Sequence, residues 1–338
     1  MRPVGIGLIG LGRWGRNYVK TLLALPECRL VAMADADQAI RDRLCAETGI
    51  PVRESADELL WEPAVEAVAI ATPDRTHCGL ASAALEAGRD VLVEKPMTLT
   101  AAEAEALVRQ AEDKNRVLAV GHTAVYATDI ESLRIRLDAI PRIAGRRVSA
   151  ERTSSGPTST HSSLASAAPV GQCAMRHSAI LFDLCPHDIA LAVLLFGTPV
   201  AARARSSGKT VEYEVRFKRD ELLSGRAEWR KPPHVRRFEV VGAKNVLNDG
   251  ADNVDFQNVR ETPLGRECLD FIGCCRTRRQ PLSNGRVGLA VMRCIAALSS
   301  SCADSGAWMQ LEPELRMSND ECRVPDSELR TSNCGVRT

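Results

Sequence analysis

The amino-acid sequence predicts an α/β protein in two parts: an N-terminal doubly wound parallel sheet, then an α+β domain with an open, mostly antiparallel sheet. Three observations carry this. Apolar runs alternate with helical segments up to about residue 123, as in a parallel sheet covered by helices on both faces. In the second half, from Glu212 to Val241, strand-like segments follow one another without a helix between them. The length of 338 residues also suits two domains better than one.

Val4 to Gly10 is short, apolar and followed by glycines, so it reads as a buried strand, and a helix runs from the glycines to about Leu25. Arg29 to Asp35 is a second strand. Asp37 opens a helix that Gly49 ends. Val65 to Ala71, Asp90 to Glu94 and Arg116 to Gly121 are further strands, separated by helices over Thr76 to Ala87 and Thr100 to Lys114. In the second half, Ile130 to Ala139 is predicted helical and Arg146 to Arg152 extended. Thr153 to Ala168 is a Ser-, Thr- and Pro-rich surface loop. A helix over Ala179 to Phe196 is expected, apart from Pro186. Glu212 to Phe217, Gly225 to Arg230 and Arg237 to Val241 are strands, and Pro263 to Arg276 and Arg286 to Ser301 are helices. The expected organisation is a first domain over 1–123, a second over 124–315 and a polar, frayed tail over 316–338.

Composition excludes several function classes. Lys and Arg total 44 and Asp and Glu 43, a formal charge of +1. That balance argues against nucleic acid or a membrane surface as partner. No stretch is read as approaching the roughly 18–20 apolar residues of a membrane span. Met1 runs straight into a strand, so no signal peptide and a cytoplasmic location are expected. The 12 cysteines form no CxxC pair and no zinc spacing, so they are read as small core residues and no metal is expected.

The chemistry starts at Gly10-Leu11-Gly12-Arg13-Trp14-Gly15. This GxGxxG follows a buried strand, opens a helix, and is trailed about 20 residues later by an acid at the end of the next strand. Gly10 permits the turn, Gly12 admits a pyrophosphate and Gly15 lets helix and strand approach. Asp35 is placed to accept from an adenosine ribose and to repel a 2′-phosphate. The expected cofactor is therefore NAD, in a Rossmann domain, with Gly10, Gly12, Arg13, Trp14, Gly15 and Asp35 in contact with it.

Further along stand Ala71-Thr72-Pro73-Asp74-Arg75-Thr76-His77, then Val93-Glu94-Lys95-Pro96, Gly121-His122-Thr123, and Asp183-Leu184-Cys185-Pro186-His187-Asp188. With these in order, the chain resembles the glucose-fructose oxidoreductase / inositol dehydrogenase (Gfo/Idh/MocA) family over about residues 4 to 315. The resemblance implies a nicotinamide cleft between the two domains, with Thr72, Pro73, His77, Glu94, Lys95 and His122 on the cofactor side. It implies catalytic roles for Lys95, His187 and Asp183. Oxidising a secondary alcohol means removing the hydroxyl proton while hydride leaves. His187 suits the base role, and Lys95 suits stabilising an alkoxide or acting as base itself; which of them is the base stays open. Asp183 lies one helical turn before His187 and shares its face.

The second half carries Glu151-Arg152-Thr153 and Gly156-Pro157, then Trp229, Pro233-His234-Val235-Arg236-Arg237 and Val240-Val241-Gly242-Ala243-Lys244, then Glu267-Cys268, Phe271 and Arg279-Gln280-Pro281-Leu282. With these it resembles the branch that oxidises a ring hydroxyl, usually C3, of an amino sugar or nucleotide-linked sugar to a ketone, often ahead of an aminotransferase. His177-Ser178-Ala179-Ile180 departs from the glycines that many members carry before the Asp-x-x-x-His helix, and Gly121-His122-Thr123 lacks the arginine that often follows. The long segment 153–178 widens the expectation to an aminoglycoside-type glycoside. Inositol or another polyol, and a non-catalytic NAD(H) sensor, are the alternatives. Tyr126, Arg152 and Arg236 are candidate substrate contacts by position. The alternating Val211 to Phe217 leaves one sheet face available, so a homo-oligomer is expected.

Overall fold

A computed structural model of the protein describes residues 2–127, 146–154, 172–231, 235–240, 246–248 and 258–311. The predicted helix at 130–139, most of the loop at 153–168 and the tail at 316–338 lie outside the described residues.

The first sheet is six parallel strands: β1 (Val4–Ile9), β2 (Cys28–Ala34), β3 (Val52–Arg53), β4 (Ala67–Ile70), β5 (Asp90–Glu94) and β6 (Leu118–Gly121), in the order β3-β2-β1-β4-β5-β6. Order reverses beside β1, which opens a crevice at the strand C-termini. Helices α1 (Gly15–Ala24), α2 (Gln38–Thr48), α3 (Ala56–Leu60), α4 (His77–Glu86) and α5 (Ala101–Asp113) connect the strands. Their ends follow local chemistry. Asp37 caps α2 by accepting from the Ala39 and Ile40 amides, and Gly49 ends it at φ 68°. Thr100 and Glu103 form a reciprocal capping box on α5.

The second sheet has seven strands: β7 (Arg147–Ser154), β8 (Pro199–Ser207), β9 (Thr210–Phe217), β10 (Leu222–Trp229), β11 (Arg236–Val240), β12 (Val246–Asn248) and β13 (Met309–Gln310). Its order is β12-β11-β7-β10-β9-β8-β13, antiparallel throughout except for the parallel pair β7–β10. Along β9, Val211, Tyr213, Val215 and Phe217 point to the core while Glu212 and Arg216 are exposed. The outward side is a charged lattice: Arg203 pairs with Glu214 and Arg226 with Glu212, and Trp308 is covered by Arg203 and Arg216 at 4.7 and 4.4 Å.

Helix α6 (Gln172–Phe196) packs against the inner face of this sheet. It runs through Pro186, where the sequence suggested an interruption. Leu184, Cys185, Ile189 and Ala190 are buried around the proline, and that packing outweighs one lost backbone bond. Helix α7 (Pro263–Thr277) returns to the first domain, burying Leu264, Cys268, Phe271 and Ile272 with Tyr18, Val19 and Leu92. Assigning residues 124–315 to one unit had placed α7 with the second sheet; its packing joins it to the first. Helix α8 (Gly285–Ala303) lies between α5, α6 and β8.

Ala179–Phe196 and Gly285–Ala303 are long and apolar enough to cross a membrane, which corrects the reading that no segment is. Both serve as core helices, with 83% and 56% of those residues buried in the fold. Scattered polar residues such as Asp183 and His187 break the apolar run in α6 without lowering its average below that of a span.

Candidate active site and nucleotide cleft

The glycine-rich turn leaves β1 at Gly10, whose φ of +90° and proximity to Ala71 exclude a side chain. At Gly12, by contrast, a Cβ would meet no protein atom within 4 Å. The turn therefore leaves open space at Gly12, as a phosphate cradle requires. Helix α1 starts at the turn with no side-chain cap and no acid in its first turn, so its positive end is left for an anion. Asp35, just beyond β2, accepts from the Leu11 amide at 2.7 Å and the Asp37 amide at 2.9 Å. Its carboxylate thus stands against the glycine-rich turn, with acceptor capacity remaining for a ribose. Arg41, which the sequence reading did not single out, donates to the Asp35 and Ala36 carbonyls and steadies that strand end. These features fit NAD.

Trp14, inside the turn, donates its indole N–H to Glu94 at the end of β5. Glu94 lies over Gly121, where a Cβ would come within 3.0 Å of its carboxyl. The next residue, Lys95, reaches across to α6. Its Nζ lies 2.8 Å from the Asp183 carbonyl and 3.4 Å from Asp183 Oδ1. His187 lies one turn further along the same helix, and its ring stands edge-on to His122 at 6.2 Å between centroids. Lys95, Asp183 and His187 are thus brought together at the junction of the two sheets.

The histidines divide by role. His122 is buried, sits 2.9 Å from Ser283 Oγ, and its pKa is pushed from 6.5 down to about 3 by burial and by the Lys95 charge. It is a neutral wall of the cleft. His77 faces two backbone carbonyls, Pro96 at 2.7 Å and Thr72 at 2.9 Å, and so fixes the Thr72-Pro73 loop against the β5 exit.

Two of the expected substrate contacts are engaged inside the protein. Tyr126 is buried, and its hydroxyl donates to Asp270 on α7 at 2.8 Å. Arg152 is 5% exposed and ion-paired to Asp188, whose other oxygen accepts from Tyr213 at 3.0 Å. Gly225 makes this possible, since a Cβ there would overlap the Tyr213 ring. Arg236 opens β11, and its side chain lies outside what the structure describes. Tyr18, absent from the sequence reading, and Glu267, which stood there only within a resemblance and with no site role, join Glu94 beneath the cleft.

Residues 4–122 match the family described as an oxidoreductase family with an NAD-binding Rossmann fold. The nucleotide-binding domain is thus similar to that of the Gfo/Idh/MocA oxidoreductases. Among curated relatives, the chain is similar to inositol 2-dehydrogenase 1 of Saccharopolyspora erythraea, 41% identical over 118 residues. That alignment covers 34% of this chain and 35% of the relative. It is similar also to UDP-N-acetylglucosamine 3-dehydrogenase of Acidithiobacillus ferrooxidans, 34% identical over 199 residues, 59% of this chain and 56% of the relative. The chain thus spans about a third of one relative and just over half of the other. In fold, it superimposes on the crystal structure of GenD2 from gentamicin A biosynthesis in complex with NAD. The TM-score is 0.79 at 22% identity, over 93% of this chain and 97% of that one.

Proposed function

We propose that the protein is an NAD-dependent dehydrogenase that oxidises a secondary ring hydroxyl of a sugar, at C3, to the ketone. The observation that carries this reading is the junction itself. The lysine leaving β5 is held against an Asp-x-x-x-His helix of the other domain, beside a cleft whose glycine-rich turn leaves open space at Gly12.

NAD bound there supplies the hydride acceptor. The remaining work falls to side chains of this chain. His187 takes the hydroxyl proton as general base. Lys95, as a cation tied to Asp183, stabilises the oxygen as negative charge develops on it. Asp183 holds Lys95 toward α6 and, one turn before His187, keeps both groups on one side of the substrate. Neutral His122 closes the wall without adding a second positive charge.

A sugar is favoured over an inositol by identity where the alignments run past the nucleotide-binding domain. It is 34% over 199 residues with the UDP-N-acetylglucosamine 3-dehydrogenase, against 29% over 205 residues with the inositol 2-dehydrogenase of Rhizobium meliloti. A 3-keto sugar is a substrate for transamination, and the same reading has the protein act ahead of an aminotransferase in making an amino sugar or an aminoglycoside-type antibiotic. A cytoplasmic homo-oligomer joined through the charged outer face of the second sheet belongs to the same reading; a single-chain mass by light scattering would count against that assembly.

The test is incubation with NAD+ and a panel of nucleotide-linked hexosamines, aminoglycoside precursors, free hexoses and inositols, with hydroxylamine to trap the ketone. A product lighter by one hydride and one proton, recovered as its oxime, is expected from a sugar. Turnover of inositols alone moves the substrate to polyols. NAD+ binding with no product, and no effect of replacing Lys95 or His187 in the cell, favours a sensor.

A further inference from the structure

Beneath the cleft, three oxygen-bearing side chains from three distant parts of the chain meet out of contact with water. The Tyr18 hydroxyl of α1 lies 2.8 Å from Glu94 Oε1 on β5 and 3.0 Å from Glu267 Oε1 on α7. Tyr18 is 1% exposed and Glu267 1%. A phenol has one hydrogen, and two ionised carboxylates are acceptors only. Two such contacts at hydrogen-bond length therefore require a second hydrogen, on one of the two carboxyls. Glu94 is the poorer home for it. It already accepts from the Trp14 indole and from the Lys95 amide at 3.1 Å, and the Lys95 ammonium is close by. Burial raises the Glu94 carboxyl too, but those donors and the Lys95 charge oppose the rise and favour its ionised form over that of Glu267. Among the described residues, the groups that weigh most on Glu267 are Glu94, Tyr18 and Asp270, with the Thr123 hydroxyl as a donor to it. Burial and the neighbouring Glu94 carboxylate push its carboxyl well above the usual range.

We propose that Glu267 is a positioning residue for the nucleotide cleft: it carries one proton and donates it to the Tyr18 oxygen. The Tyr18 O–H is thereby directed onto ionised Glu94, which holds Trp14 in the glycine-rich turn and lies next to Lys95. The arrangement conserves hydrogens, with one on Glu267, one on Tyr18 and none on Glu94. It resembles other buried carboxylic acids that stay neutral in order to donate a hydrogen bond. Its effect is to fix the turn and the β5 exit relative to each other from the outer side of the sheet. The cofactor-positioning part of the proposal rests on the dehydrogenase reading.

The experiment compares wild type with Glu267→Gln by infrared difference spectroscopy at pH 7, without substrate, and measures NAD+ affinity by calorimetry. Wild type is expected to show the carbonyl stretch of a protonated carboxyl, shifted in heavy water and lost in the variant. Absence of that band overturns the proposal, whatever the protein does with sugars. Glu267→Gln keeps a donor to Tyr18 and is expected to retain NAD+ affinity. Glu267→Ala and Tyr18→Phe remove the donor chain and are expected to weaken NAD+ by about tenfold, the effect of one hydrogen bond to a charged group. Wild-type NAD+ affinity in a folded Glu267→Ala overturns the positioning role. Should Glu267→Ala not fold, the infrared comparison still decides.

Discussion

Helix α6 carries two cation–carboxylate pairs five residues apart in sequence, and they are built for different ends. Asp188 is closed in. Its side chain is 1% exposed, it pairs with an Arg152 that is 6% exposed, and Tyr213 occupies its second oxygen. Asp183 faces the junction between the sheets. Its side chain is 10% exposed and the lysine opposite 14%, the Nζ–Oδ1 separation is 3.4 Å, and the stronger contact goes to a backbone carbonyl instead. The first pair is an internal tie that seats the helix on the second sheet. The second is longer and more exposed, as the proposed role of Lys95 at a substrate oxygen requires, while the first pair holds the helix. On the proposed reading, one helix separates a fixed group from a working one.

The largest expected effect comes from breaking the closed pair. Arg152→Met leaves Asp188 buried without its cation and is expected to cost about 3–5 kcal/mol of folding stability, read by urea denaturation. An Arg152→Met protein as stable as wild type would mean that the closed pair is not the tie assigned to it. Lys95→Met acts on the open pair. It is expected to reduce kcat by about 10²–10³-fold, or roughly 2.7–4 kcal/mol in the barrier, with NAD+ binding retained. A stability loss without a rate loss would reverse the roles assigned to the two pairs.

The contrast also explains what the sequence could disclose. The parallel strands β1, β2, β4, β5 and β6 were legible because strands buried on both faces are apolar runs between glycines and helix caps. β3 was not, since Val52–Arg53 is two residues long and half-buried. β8 was missed because Arg203 and Arg205 alternate with small alanines, a pattern weak in β-branched residues. Lys95, Asp183 and His187 stand in local motifs, which a sequence displays. For Tyr126 and Arg152 a sequence shows that a residue is polar, not that Asp270 or Asp188 engages it. The meeting of Tyr18 and Glu267 had no local signature, for they stand 249 residues apart and come together because α7 returns to the first sheet.

The two facing histidines extend the comparison to pH. His122 titrates at about 3 when folded and near 6.5 when unfolded. Between those values the unfolded chain binds the extra proton, so stability falls as pH falls from 6.5 toward 3. The slope from this one group approaches about 1.4 kcal/mol per pH unit. Glutamine at 122 carries no such proton, so His122→Gln is expected to flatten stability against pH in that window. Stability is measured from urea midpoints between neutral pH and pH 4. An unchanged slope would mean that His122 is hydrated and charged in the folded protein.

The smallest effect belongs to the acid of the open pair. In Asp183→Asn, the amide still offers Lys95 an oxygen, and the 2.8 Å bond to the backbone carbonyl is untouched. The folding stability is therefore expected to change by no more than about 1 kcal/mol, the scale of one ordinary hydrogen bond. Asp188→Asn, which strips the charge opposite a buried guanidinium, is expected to approach the loss seen for Arg152→Met. Thermal midpoints of the two variants, made side by side on the same helix, decide it. If both fall equally, Asp183 is as much a structural tie as Asp188, and Lys95 has no freedom to leave it. If Asp183→Asn melts with the wild type but slows turnover, the open pair is kept for chemistry rather than for the fold.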